Sequence, residues 1–146
     1  MAETTANSAA LLEGLRREVT IYTGVLAVSA EELKLVKDAE LEQATAVLSR
    51  KQQQLEEIAS IEARIKPLKE QWPTIKAGLP PPELSKFQTV LKELSDLLER
   101  LIAIERETEE VLSRQIATVR KTPGGAAAEE RARKAYGAQK EQEGRR

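Results

Sequence analysis

The chain of 146 residues contains no cysteine and no histidine. Disulfides, thiolate nucleophiles, Cys/His metal sites and the side chain that most often moves protons near neutral pH are therefore outside its repertoire. Aromatic residues are scarce at 3%, namely Tyr22, Trp72, Phe87 and Tyr136. A β-sheet draws on aromatic and β-branched residues, whereas Leu, Ala, Glu, Lys, Gln and Arg dominate here, a composition that predicts helix. An excess of one charge is also missing: 32% of the residues are charged, yet the net charge is -1. The surface should carry mixed ion pairs and no field that draws nucleic acid. No apolar run reaches the roughly 18 residues of a membrane span. Met1 to Ala10 lacks the basic and apolar regions of a secretory leader, so a cytoplasmic protein without membrane insertion is expected. The length predicts one domain, and the class is all-α.

Apolar residues recur with helical spacing over most of the chain. They fall at Leu12, Leu15, Val19, Tyr22, Leu26, Leu33 and Val36, with Ser29 filling one slot. That pattern predicts an amphipathic helix with a coiled-coil seam over about residues 8–37. Leu11, Val25, Val28 and Leu35 widen the stripe, as a helix touching two neighbours requires. Asn7 or Ser8 is placed to cap its start. The pattern restarts at Asp38-Ala39-Glu40, with Asp38 the expected N-cap of a second helix over 39–77. Its seam reads Leu41, Ala44, Leu48, Lys51, Leu55, Ile58, Ile61, Ile65, Leu68, Trp72 and Ile75. Pro67 and Pro73 each remove a backbone donor and crowd the carbonyl four residues back, so a kink is expected at 67 and an end between 72 and 77. Gly78-Leu79-Pro80-Pro81-Pro82 is the clearest breaker. A third helix is expected over 83–121, roughly 57 Å long at 1.5 Å per residue. Its seam holds Leu84, Phe87, Leu91, Leu94, Leu98, Leu101, Ile104, Thr108, Leu112, Ile116 and Val119, beside a second line of Val90, Leu97, Ile102 and Val111.

Short connections place successive helices antiparallel, so residues 1–121 are expected to form an elongated antiparallel three-helix bundle with coiled-coil seams. The stretch 122–146 differs in kind: it opens on Thr122-Pro123-Gly124-Gly125 and holds six basic residues, four acidic ones and a single aromatic, Tyr136. It is expected to be a flexible tail that cannot pack on its own.

Acid–base chemistry has few tools here. Asp38 and Asp96 are the only aspartates, and glutamates such as Glu105 and Glu109 read as a solvated helix face, as do Glu107 and Glu110 beside Arg106 and Arg114. Gly124-Gly125 is too short for a phosphate-cradling loop. No enzymatic activity, cofactor or metal is expected. An apolar stripe is ordinarily core, but the double line on the third helix exceeds what three helices cover and leaves surface for a partner helix.

The segment Leu33-Lys34-Leu35-Val36-Lys37-Asp38-Ala39-Glu40-Leu41-Glu42-Gln43-Ala44, continuing to Lys51-Gln52-Gln53-Gln54-Leu55-Glu56-Glu57-Ile58, resembles the helical-hairpin core of the FlgN family of flagellar export chaperones. The order of features is similar as well: a leucine-rich first helix, an acidic turn, a Lys/Gln-rich second helix, a long third helix and a loose tail with a Tyr-Gly, here Tyr136-Gly137. The likeness covers about residues 10–121 and that dipeptide, and departs from the family at Pro67, Pro73 and Pro80-Pro81-Pro82. It implies a cytoplasmic chaperone that binds helical terminal segments of hook-filament junction (hook-associated) proteins. Such a chaperone prevents their premature assembly and delivers them to the flagellar type III export apparatus. On that footing the client groove is expected near the C-terminal end of the third helix, at Leu112, Ile116 and Val119, with Tyr136 folding over the complex as the tail orders. The rival expectation is a structural coiled-coil or dimerisation module that scaffolds partners, and a homo-oligomer stays open under both.

Overall fold

Residues that lose little side-chain freedom in a helix fill most positions between the turns, and the backbone follows them. The computed structural model describes residues 2–119 together with Glu130, Arg131, Arg133 and Lys134. Its helices are α1 (Ala2–Lys37), α2 (Leu41–Glu70), α3 (Trp72–Ala77) and α4 (Pro81–Val119). The described residues contain no strand, so the chain is all-α. Glu130, Arg131, Arg133 and Lys134 are helical and exposed, while the rest of the expected tail lies outside the described residues.

The helix ends differ from the sequence expectation for local reasons. α1 begins at Ala2, not near residue 8. Ser8 is inside it, donating its hydroxyl to the Thr5 carbonyl at 2.9 Å, and the Asn7 amide reaches Gln71 Oε1 at 3.4 Å; neither is a cap. Asp38 is not the N-cap of α2 but a turn residue whose N–H still bonds the Lys34 carbonyl at 3.0 Å. Behind it, Glu40 N–H donates to the Leu35 carbonyl at 2.9 Å and Ala39 N–H to the Val36 carbonyl at 3.0 Å, the two bonds of a Schellman closure. Ala39 takes the left-handed conformation this closure needs, at φ 59, and α2 starts only at Leu41.

Prolines begin helices here more than they end them. α2 runs through Pro67 to Glu70, forgoing the one bond that a residue 67 amide would make to the carbonyl of Ala63. The break comes at Gln71, whose N–H turns back to the Leu68 carbonyl at 3.1 Å. Pro73 stands in the first turn of α3, and Pro81 and Pro82 open α4, two residues before the expected start at 83. First-turn amides have no acceptor within the helix, so proline loses nothing there and its fixed φ suits the start. The Pro80 carbonyl takes the N–H groups of Glu83 and Leu84, each at 3.0 Å.

The chain divides into two compact units. The first takes α1 up to Leu26, α2 from Gln54, α3, and α4 up to Arg100. Leu11, Leu15, Val25, Ile58, Ile61, Ile65, Ile75, Phe87 and Val90 are among its buried apolar residues. Gly14 faces Ile65 and Gly24 faces Gln54, so numbers fall along α2 as they rise along α1 and the two helices are antiparallel. Trp72 lies on Phe87 with ring centroids 5.0 Å apart and planes at 46°, a tilted aromatic pair of the kind that adds about 0.5–1.5 kcal/mol beyond its buried area. The second unit takes α1 from Ala27, the 38–40 turn, α2 up to Gln53 and the described chain from Leu101. There Ser29 meets Glu105 and Val36 meets Gln115, so α4 runs parallel to α1.

Interior lines differ from the expected seams on two helices. On α1 the buried positions include Glu18, Ser29 and Glu32, while Val19 and Leu26 are only half-buried. On α4 the interior takes Phe87, Val90, Leu94, Thr108 and Leu112, and the expected seam residues Leu91 and Leu98 are exposed. α4 carries large apolar residues on nearly half its circumference around 84–104, and helical period alone does not say which rim of so wide a stripe faces inward.

Candidate helix-docking site

In the second unit the core is interrupted by charge. Lys51 is 1% exposed, and its Nζ donates to Glu32 Oε1 at 3.0 Å and also to Glu105 Oε1. Ser29, fully buried, donates its hydroxyl to the same Glu105 oxygen at 3.2 Å. One ammonium thus faces two carboxylates across three helices, with α1 supplying Ser29 and Glu32, α2 Lys51 and α4 Glu105. Thr108, one turn further along α4, is buried with its hydroxyl on the Ile104 carbonyl at 2.9 Å. A buried lysine is tolerable only because it is paired and hydrogen-bonded. The exposed pairs nearby, Arg50 with Glu31 at 3.0 Å and Lys37 with Glu107 at 2.8 Å, contribute little, about 0–1 kcal/mol each in screening solvent.

Polar slots in the apolar seams marked this layer in the sequence: Ser29, Lys51 and Thr108 each stand where the period calls for an apolar residue. Glu32 and Glu105 carried no such mark. Glu105 was expected on a solvated face, and the structure corrects this: Ser29 and Lys51 draw its carboxylate onto the interior side of α4.

Beyond the polar layer, Val36, Ala44 and Leu112 form a small apolar cluster, with Leu35, Leu41, Val111 and Ile116 packed on it. Gln115 adds a bond from its amide to the Val36 carbonyl. Of the expected groove residues, Leu112 is 6% exposed inside this cluster and Ile116 is half-buried at its edge. The Val119 side chain and Tyr136 lie outside the described residues. Leu112 and Ile116 are thus brought together, as the seat by which the end of α4 rests on the α1–α2 hairpin.

Two further surfaces belong to the first unit. An open cleft of about 650 Å³ has Leu12, Ile75 and Phe87 among its lining, with Arg16 and Glu83 at its polar part. Leu91 and Leu98 stand exposed on α4 at 42% and 38%. Ile102 of the second unit is 52% exposed. Among the described residues no three Asp or Glu side chains are grouped to hold a metal ion, and no helix is long and apolar enough to cross a membrane. What these surfaces offer chemically is apolar packing at helical spacing, backed in the second unit by charges that water can reclaim. In comparison with known proteins, no family model, curated protein or solved structure matches the chain.

Proposed function

We propose that the chain is a helix-binding export chaperone of the flagellar type, acting in the cytoplasm. In this reading its helices pair as an antiparallel three-helix bundle with coiled-coil seams, and it holds helical terminal segments of hook-associated proteins until export. The client class comes from the FlgN-like stretch between Leu33 and Ile58. The observation that carries the proposal is the seat of α4 on the hairpin in the second unit. It joins a small apolar cluster around Leu112 to a layer of charged groups. When such an interface opens, apolar groups lose burial, but Lys51, Glu32 and Glu105 regain water, which offsets part of the loss. An all-apolar seat of the same size has no such offset. A client helix with apolar residues at i, i+3, i+4 and i+7 can enter between Leu112 and Ile116 on one side and Leu35 and Leu41 on the other.

Co-purification with a terminal segment of a hook-filament junction protein tests this. Leu112→Ser with Ile116→Ser is expected to abolish capture, and so is Leu35→Ser with Leu41→Ser on the opposite wall. Circular dichroism should show most helix retained in both, because the first unit keeps its own core. Capture that is unchanged or stronger in either variant contradicts insertion at this seat.

A further inference from the structure

Leu91 and Leu98 are seven residues apart, about two turns, on one face of α4, with exposed Ser95 between them. Lys92 and Glu99, both exposed, each follow one of these leucines by a single position and so lie on the same flank of the leucine line. We propose that this face docks a second copy of the chain, α4 against α4 and antiparallel, about a two-fold axis passing Ser95. The proposal is independent of the chaperone reading and uses a different part of α4.

A two-fold contact requires a patch that complements itself. Reversal about Ser95 brings Leu91 of one copy to within one residue, about 1.5 Å along the axis, of Leu98 of the other, and the reverse. The same operation sets Lys92 beside Glu99 of the partner copy, also twice, so both charges on the flank meet their opposites. Parallel pairing about a two-fold along the helices would carry the two Lys92–Glu99 flanks to opposite sides of the seam, where neither charge meets its opposite. The order of charges therefore selects both the occupant and its direction, as flanking charges do in paired helices. Serine at the crossing point is small enough to let the two backbones approach. Two leucines and two charges per copy make a contact near or below the lower end of specific interfaces, about 1,200 Å² in total, so the dimer should depend on concentration.

Sedimentation equilibrium of the full chain, from roughly micromolar to roughly millimolar, is expected to show the mass rising from the 16.2 kDa of one chain toward twice that value. Leu91→Ser with Leu98→Ser should hold the mass at one chain with unchanged circular dichroism. Lys92→Glu and Glu99→Lys should each weaken self-association about tenfold. Mixing these two variants should restore pairing, because every flank contact in the mixed dimer is again between opposite charges. A wild-type chain that stays monomeric across the range overturns the proposal and leaves the face to a partner of other sequence. A dimer indifferent to the leucine variant, or a mixture no tighter than its components, overturns it equally.

Discussion

Replacing Lys51 by methionine tests whether the charged layer is as dry and as tightly coupled as its geometry implies. Methionine keeps most of the side-chain length and removes the ammonium that holds Glu32 at 3.0 Å and Glu105 beside it. At that separation the fully buried Lys51–Glu32 pair is worth about 5 kcal/mol in gross Coulomb energy for an effective dielectric near 20. Desolvation cancels much of this in the intact layer. Removing one partner does not restore the lost water to the others, so breaking a buried pair is expected to destabilise the fold by about 3–5 kcal/mol. For a chain of this size that corresponds to a drop in Tm on the order of 10–20 °C. Urea unfolding followed by circular dichroism at 222 nm measures the loss. Hydrogen exchange should place it in residues 27–53 and 101–119, the unit that contains the layer. Adding Glu32→Leu and Glu105→Gln to Lys51→Met should recover most of the stability, since an apolar replacement of a whole buried ionic cluster is neutral or favourable in comparable cases. A loss under about 1 kcal/mol for Lys51→Met alone would mean that the two carboxylates are solvated, and the account of the layer would be wrong.

Two glycines of α1 should respond to alanine in opposite ways. A Cβ on Gly14 would stand 2.5 Å from Ile65 Cγ2, a β-branched side chain that cannot swing away, so Gly14→Ala is expected to destabilise by about 1–3 kcal/mol despite alanine's better helix propensity. A Cβ on Gly24 would meet the Gln54 Nε2 at 2.9 Å, the end of a flexible chain, so Gly24→Ala is expected to gain up to about 1 kcal/mol. Thermal melts showing the same sign at both sites would contradict the packing described. Ala39→Gly should stabilise by roughly 1 kcal/mol, because Ala39 is held at φ 59, where a Cβ is strained; a destabilised variant would refute the left-handed closure.

What the sequence disclosed depends on the kind of force that places each residue. Along α2, Ala44, Leu48, Lys51, Leu55, Ile58, Ile61 and Ile65 are buried on the line their spacing draws, because that helix has one narrow apolar stripe. α4 has a wide one, and Leu91 and Leu98 fall on its outer rim. Glu18 and Glu32 are buried on α1, which an apolar count misreads, since a carboxylate goes inside only where distant parts of the chain bring it partners. The partner of Glu32 is 19 positions away in sequence and Glu105 joins from a third helix, so no local pattern records the layer. Ala39 was missed as a left-handed turn residue because alanine carries no turn signature, unlike glycine or asparagine. Leu112 and Ile116 are legible in the sequence as an apolar pair, but their packing against Val36 and Ala44 follows only from the tertiary arrangement.

The most direct test of the chaperone proposal is binding of a synthetic terminal helix from a hook-filament junction protein to the full chain, followed by hydrogen exchange across Leu101–Val119. Before binding, the amides of this segment should exchange faster than those of 27–37, because opening of the α4 seat is eased by rehydration of Lys51, Glu32 and Glu105. On binding they should become the more protected, with saturation at one helix per chain. A junction-protein helix that does not bind, or that binds while protection across 101–119 stays unchanged, contradicts the proposal.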